Sequence, residues 1–101
     1  MEFVKVGRAT DVPSGTAKSY TLGARSVMVF NVNGEYYAVD DVCTHDEGEL
    51  GDGELEDHEI ECPRHGARFD IRTGEVKSLP AVMPIDTFTV RIEGEDIEIE
   101  A

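Results

Sequence analysis

Apolar and polar residues alternate along much of the chain with the period of two that is typical of β-strands. In residues 88–92 every second side chain is apolar, and Ile97 and Ile99 repeat this spacing later in the sequence. Such alternation places one face of a strand in a core and the other in water. The strands predicted in this way are residues 2–6, 18–22, 26–31, 35–40, 59–61, 68–70, 87–92 and 96–100. No stretch shows a convincing helical period with caps, so the pattern predicts an all-β fold, a small antiparallel sandwich or barrel.

Short turn signals separate the predicted strands. Asn33-Gly34 lies between two apolar segments, and both residue types tolerate the positive φ angles of a two-residue hairpin turn. Gly94-Glu95 suggests a second tight turn before the last strand. Both signals favour antiparallel neighbours that follow each other along the chain.

The length of the chain restricts its organisation. With 101 residues and 11.1 kDa, the sequence predicts one domain, residues 1–101, because a second core could not be buried. The longest apolar run, from Val27 to Phe30, is far shorter than the roughly 20 residues of a membrane span. The first residues lack the basic-then-apolar pattern of a signal peptide. We therefore expect a cytoplasmic protein that makes no contact with a membrane.

The charge of the chain changes the range of expected partners. Acidic residues number 22 against 9 Lys and Arg, which gives a formal net charge of −13. Such a surface repels nucleic-acid phosphates, so binding of DNA or RNA is not expected. It attracts a protein with a basic patch, although the same charge also serves solubility alone.

One region departs from the alternating pattern. Residues 41–74 hold both cysteines and all three histidines. Of the sixteen residues between His45 and Cys62, nine are acidic. This region reads as an insertion that carries a site and is mounted on a β scaffold. Its acidic part is either a solvated loop or a docking surface.

The cysteines and two of the histidines form two pairs with metal-ligand character. Cys43-Thr44-His45 and Cys62-Pro63-Arg64-His65 each combine a thiolate with an imidazole, the ligands of zinc ions and iron–sulfur clusters. Structural zinc sites usually place paired ligands two to four residues apart. The single residue between Cys43 and His45 instead favours two ligands that bind two adjacent metals, as in a [2Fe–2S] centre held by two cysteines and two histidines.

These two motifs, with the Gly66-Ala67-Arg68-Phe69-Asp70 segment that follows the second, resemble the Rieske motif. The similarity extends over essentially the whole chain to the small Rieske-type ferredoxins of bacterial aromatic-ring dioxygenase systems. It implies one Rieske [2Fe–2S] cluster in a cluster-binding subdomain at about residues 41–75. The β base of that fold would then comprise about residues 1–40 and 76–101.

The resemblance also implies roles for individual residues. Cys43 and Cys62 would hold the buried iron, and His45 and His65 the outer iron at the tip of the molecule. Gly66 would allow the backbone to approach the cluster closely.

The sequence also suggests roles for three further residues. By the same resemblance, Pro80 would belong to a third segment that covers the cluster. Leu50 would lie on the first ligand segment and shield the cluster there. His58 matches no motif position and is expected to be a solvated surface residue.

The expected function is one-electron transfer without catalysis by the chain itself. The resemblance implies electrons accepted from a flavin-dependent reductase and passed to a terminal oxygenase. We also expect the carrier to act as a monomer. Ala67 and Phe69 stand where high-potential Rieske proteins have hydroxyl donors, so a low potential is expected, near the roughly −150 mV end of the Rieske range.

Three alternatives to this function remain at the level of sequence. One is the small subunit of an assimilatory nitrite reductase. Another is a zinc-binding interaction module. The third is an electron carrier for a different oxygenase, such as one that acts on steroids or amines.

Overall fold

The longest apolar run of the sequence lies in a strand that is buried on both faces. The computed structural model describes residues 2–41, 53–62, 66–78 and 83–100. Within these ranges, Val27 and Val29 pack in one core, whereas Met28 and Phe30 pack in another. A strand with two buried faces carries apolar side chains without alternation, which explains this run.

Strands dominate the described residues, which also include a single-turn 3₁₀ helix at Ala9–Asp11. All strand pairs are antiparallel. The fold class predicted from the sequence is therefore confirmed. The strands are β1 (Phe3–Arg8), β2 (Thr16–Leu22), β3 (Arg25–Val32), β4 (Glu35–Asp40), β5 (Glu54–Glu56), β6 (Glu59–Glu61), β7 (Arg68–Asp70), β8 (Val76–Ser78), β9 (Thr87–Phe88), β10 (Val90–Glu93) and β11 (Asp96–Glu100).

The strands form three sheets. The first has the order β1-β11-β10, the second β2-β3-β4-β9, and the third β5-β6-β7-β8. The second sheet lies between the other two, because β3 and β4 contribute to the core on each side. One core joins it to the first sheet through Ile97 and Ile99 of β11. The other joins it to the third sheet through Ile60 and Phe69.

The two turn signals of the sequence are confirmed. Asn33 and Gly34 connect β3 to β4 with φ angles of 54° and 90°. Gly94, with a φ of 63°, lies in the turn from β10 to β11. In both hairpins the strands pair residue by residue up to the turn, so local turn chemistry sets the register.

Apart from differences of one or two residues in the bounds of β1 to β3, the strand predictions differ from the structure in two respects. The predicted strand 87–92 is wrong as one element, because the chain leaves the second sheet after Phe88 and enters the first sheet at Val90. Two short strands, β5 and β8, were not predicted. β5 is rich in glutamate and β8 is only three residues long, so neither shows the pattern of a half-buried strand.

No helix in the described part of the chain is long and apolar enough to span a membrane. The proposed division into a cluster-binding subdomain and a β base stays a prediction. Three strands of the third sheet, β5 to β7, lie within the range expected for that subdomain, whereas β8 lies just beyond it.

Candidate metal centre

Of the four predicted ligands, Cys62 lies within the described residues. Cys43, His45 and His65 lie outside them, as do Leu50 and Pro80. Among the described residues, no group of three or more His, Cys, Asp or Glu side chains is placed to hold a metal ion. The convergence of the four ligands therefore stays a prediction, and the geometry around Cys62 is what the structure contributes.

Cys62 is positioned by the end of β6 and by two hydrogen bonds of the following connection. Its N–H donates to the carbonyl of Ala67 at 2.7 Å, and the Gly66 N–H donates to the carbonyl of Cys62 at 3.0 Å. Gly66 has a φ of 74°, in the left-handed region that favours glycine. These contacts hold Gly66 and Ala67 beside Cys62. We call residues 62–67 the second ligand segment.

The surroundings of Cys62 in the described residues are apolar. The side chain is 1% exposed and belongs to the core between the second and third sheets. Ala67 and Phe69, the two positions without a hydroxyl, are fully buried in the same core. These two side chains therefore offer no hydrogen-bond donor to the thiol.

A buried carboxylate precedes the first pair of predicted ligands. Asp41 follows β4 and is 6% exposed. Its Oδ2 atom accepts hydrogen bonds from the hydroxyls of Ser19 at 3.0 Å and Ser26 at 3.1 Å. The Asp41 N–H also donates to the carbonyl of Ser26 at 2.9 Å. These contacts anchor Asp41 to β2 and β3. From this residue the chain continues towards Cys43.

The acidic stretch between His45 and Cys62 contains a β-hairpin in its described part. β5 and β6 pair so that Glu54 lies opposite Glu61 and Glu56 opposite Glu59. Like charges directly opposite each other are destabilising. We call β5, β6 and their turn the acidic hairpin.

One arginine of β7 offsets part of this repulsion. The Arg68 guanidinium lies 3.4 Å from Glu56, 3.7 Å from Glu59 and 3.3 Å from Glu61. The hydrogen bond to Glu56, with the charges of the three carboxylates, raises the pKa of Arg68 above its usual value. Exposed pairs of this kind are screened by solvent, so they orient the side chain more than they stabilise the fold.

The turn from β7 to β8 contains a tighter ion pair. Asp70 is buried, and its carboxylate accepts hydrogen bonds from Nε and a terminal nitrogen of Arg72 at 3.0 and 2.9 Å. The side-chain hydrogen bond from Arg72 holds the pKa of Asp70 below its usual value, although burial acts in the opposite direction. This pair fixes the end of β7, eight residues after Cys62.

His58 is half-buried rather than solvated. It lies in the turn of the acidic hairpin, and its ring contacts that of Tyr37 edge to face at a centroid distance of 5.6 Å. β6 separates it from Cys62, so the two residues flank this strand at opposite ends. The structure thus keeps His58 apart from the second ligand segment, as its place outside the motif indicated.

The sequence interpretation missed two polar residues that frame the candidate centre. Asp41 was read only as the boundary of the site region, and Ser78, the last residue of β8, was not singled out. An aspartate at the end of an apolar strand was a weak signal for a buried anchor. Ser78 gave no such signal, because its partners depend on how β8 pairs with β7.

The described residues fit an iron–sulfur ligand segment. Cys62 offers a thiol buried in an apolar core, and two backbone hydrogen bonds join this residue to Gly66 and Ala67. Soft thiolates are preferred ligands of such clusters, and a low-dielectric shell is one of the means by which proteins set their potential. The geometry of Cys62 is thus compatible with the role predicted for it.

Comparison with known proteins agrees with this chemistry. Residues 2–89 match the family described as Rieske [2Fe-2S] domain. The ferredoxin component of biphenyl 2,3-dioxygenase from Rhodococcus jostii (strain RHA1) is 38% identical over 100 residues, which cover 99% of this chain and 94% of that protein.

Solved structures give the same result. The ferredoxin of carbazole 1,9a-dioxygenase from Nocardioides aromaticivorans IC177 superposes with a TM-score of 0.93 at 32% identity and covers 98% of this chain and 97% of its own. The ferredoxin in a complex of reduced oxygenase and oxidised ferredoxin of carbazole 1,9a-dioxygenase gives a TM-score of 0.89 at 34% identity, with 96% and 91% covered. From the fold, the surroundings of Cys62 and these similarities, we conclude that the chain belongs to the Rieske [2Fe–2S] family and is a ferredoxin, an electron carrier with a single cluster of that type.

Proposed function

We propose that this ferredoxin serves an aromatic-ring dioxygenase system, in which it takes electrons from a flavin-dependent reductase and delivers them to a terminal oxygenase. The relatives named as ferredoxin components of biphenyl and carbazole dioxygenases support this assignment, as does the solved ferredoxin–oxygenase complex. We further propose that the carrier acts as a monomer in the cytoplasm. The reductase is inferred from the need for an electron donor.

We also propose Cys43, His45, Cys62 and His65 as the cluster ligands. The observation that carries this assignment is the buried position of Cys62 in a segment closed by two backbone hydrogen bonds and turned at Gly66. When bound, the cluster accepts and releases one electron at a time. The chain holds it through two thiolates and two neutral imidazoles and excludes water on the side of the Ile60 and Phe69 core.

The same surroundings support a low reduction potential. Hydrogen bonds to the sulfur atoms and solvent exposure tune the potential of Rieske centres. Ala67 and Phe69 contribute no hydroxyl donor, and the net charge of −13 disfavours a further negative charge. We expect a potential near the roughly −150 mV end of the Rieske range.

The ligand assignment is tested on purified protein with alanine variants of the histidines. His45→Ala and His65→Ala are expected to lose the cluster, because each removes one ligand of the outer iron. His58→Ala is the matched control, since it removes the third histidine of the chain, which lies in the turn of the acidic hairpin. Iron and sulfide content and low-temperature EPR of the reduced protein provide the measurement.

His58→Ala should contain as much iron and as much sulfide as the wild type. Their average g value should lie well below that of a cluster held by four cysteines. Zinc alone in the wild type, or a Rieske signal that persists in His65→Ala, would refute the assignment. A colourless protein would instead indicate the zinc-binding alternative.

A further inference from the structure

The hydroxyl of Ser78 joins two parts of the candidate centre that are distant along the sequence. Ser78 ends β8 and is half-buried. Its Oγ atom accepts a hydrogen bond from the Arg68 N–H at 3.1 Å and donates one to the carbonyl of Gly66 at 3.3 Å. The hydroxyl thus uses both its donor and an acceptor position on the backbone that leaves the second ligand segment.

A bulge in β8 brings the hydroxyl to this position. Phe69 pairs with Val76, but Arg68 pairs with Ser78, so Lys77 is an extra residue in the ladder. Bulges of this kind redirect a side chain and are frequent next to functional sites. In a regular ladder, a backbone carbonyl of β8 would accept the Arg68 N–H. At the end of β8, the hydroxyl of Ser78 takes the place of that carbonyl.

The contact acts on a peptide that closes the second ligand segment. Gly66 donates its N–H to Cys62, and its carbonyl accepts from Ser78. In a planar trans peptide the carbonyl and the following N–H point in opposite directions. The bond to Gly66 therefore also fixes the direction of the Ala67 N–H, a donor at the end of this segment.

Ser78 also stands next to the segment that was expected to cover the cluster. Residues 79–82, which include Pro80, follow it directly and lie outside the described residues. The hydroxyl of Ser78 thus links Gly66, near the end of the second ligand segment, to the residue from which the chain continues towards Pro80.

We propose that Ser78 is a positioning residue of the metal centre, whose hydroxyl fixes the Gly66–Ala67 peptide and keeps the second ligand segment in place relative to β8. This inference rests on the proposed ligand set. It concerns a side chain that is itself no ligand. Outer contacts that orient ligand-bearing backbone influence both metal retention and the electronic properties of a centre.

The test compares Ser78→Thr with Ser78→Val. Threonine and valine have nearly the same shape and both suit a strand, so the pair differs mainly in the hydroxyl. Two quantities are measured in the holoprotein below its unfolding temperature: the rate of iron release to a ferrous chelator, and the g values of the reduced protein. We expect Ser78→Val to release iron at least fivefold faster than the wild type and to show shifted or broadened g values. Ser78→Thr should match the wild type in both.

Ser14→Ala is the matched control. The Ser14 hydroxyl also accepts a backbone hydrogen bond, from the Asn33 N–H at 3.2 Å, but at the turn between β3 and β4. Its loss should leave iron release and g values unchanged. A general effect of removing a serine hydroxyl would appear in this variant as well.

Three results would overturn the proposal. Equal iron release and equal g values in the threonine and valine variants would show that the hydroxyl does not act on the centre. A lower unfolding temperature with an unchanged centre would make Ser78 a purely structural residue, as would failure of the valine variant to fold. A wild type without a Rieske signal would instead refute the ligand set, and the two failures are therefore distinguishable.

Discussion

At the scale of single residues, Ala67, the last residue of the second ligand segment, and Phe69 are the two positions without a hydroxyl donor to the centre. Ala67 and Phe69 are fully buried and have no polar atom in their side chains. Ala67 is the smaller, and its carbonyl already accepts the N–H of Cys62. A hydroxyl placed here would add a side-chain donor to the core that contains Cys62.

We therefore expect Ala67→Ser to raise the reduction potential. A hydrogen bond to a charged group contributes about 1.5–3 kcal/mol. If it favours the more negative reduced state by about 1.4 kcal/mol, the potential of a one-electron couple rises by about 59 mV. Voltammetry of the purified variant and wild type measures this shift directly.

Ala38→Ser is the matched control for this experiment. Ala38 is equally buried, but it lies in the core between the first and second sheets. A new hydroxyl there should lower stability without changing the potential. An unchanged potential in Ala67→Ser, or an equal shift in both variants, would argue against the hydrogen-bond explanation.

At the scale of elements, one glycine allows the turn from β7 to β8 to pack closely against the chain that leads into β9. Gly74 is buried in the turn from β7 to β8, with a φ of 80°. Its N–H donates to the Asp70 carbonyl at 2.7 Å, and its own carbonyl accepts the Ile85 N–H at 2.9 Å. A Cβ atom at this position would collide with the carbonyl oxygen of Ile85. The turn therefore packs backbone against backbone, close to the start of β9.

Gly74→Ala is expected to destabilise the protein strongly. The left-handed conformation costs a non-glycine residue about 1–2 kcal/mol, and overpacking adds about 1–3 kcal/mol. Gly94→Ala separates the two effects, because Gly94 has a φ of 63° and open space around the missing side chain. It should show the conformational cost alone. Urea unfolding followed by circular dichroism gives both values, and equal losses in the two variants would contradict the close packing at Ile85.

The elements also show where sequence patterns suffice. The predicted bounds of β4, β6, β7 and β11 agree with the structure, because each strand alternates or lies next to a clear turn. The segment from Thr87 to Ile92 also alternates, yet it divides between two sheets at Thr89. Alternation indicates which face of a strand is buried, but it does not indicate the sheet to which the strand belongs. That information resides in residues distant along the chain.

At the scale of the whole molecule, charge is the property that reaches furthest. The net charge of −13 is spread over the chain, and the acidic hairpin concentrates four glutamates on two paired strands. Arg68 compensates only part of this charge. Long-range attraction raises the rate at which oppositely charged proteins meet, and salt screens it.

We expect electron transfer to the terminal oxygenase of a biphenyl dioxygenase system to slow as salt concentration increases. The second-order rate constant, measured by stopped-flow absorbance, should fall by about tenfold between low and high salt, within the range known for electrostatic steering. The double variant Glu54→Gln/Glu56→Gln should reduce the rate at low salt and weaken the dependence on salt.

The double variant Glu93→Gln/Glu95→Gln changes the net charge by the same amount at the turn between β10 and β11. It should have a smaller effect if the acidic hairpin takes part in docking. A rate that does not respond to salt would leave the charge with a role in solubility alone. Equal effects of the two double variants would assign the steering to net charge and not to the hairpin.

The sequence by itself determined the class of fold and, through the resemblance of its two motifs to a known family, the family; it also predicted the ligands. These follow from local information: the period of two, the Asn33-Gly34 turn, and cysteine and histidine at short fixed spacings. Each depends on residues that are neighbours along the chain. Local geometry and metal-ligand chemistry are therefore sufficient to read them.

The tertiary structure decided what surrounds Cys62 and how the sheets combine. It placed the second sheet between two cores, paired the glutamates of the acidic hairpin, and brought Ser78 to Gly66 through a bulge in β8. The core contacts and the contact of Ser78 with Gly66 have no signature in sequence, because they join parts of the chain that meet only when the sheets assemble. The glutamate pairing is local to one hairpin, but β5, which is rich in glutamate, lacks the pattern that would have predicted it. A bulge of one residue changes which side chain meets which backbone atom, and only the assembled register shows where it falls.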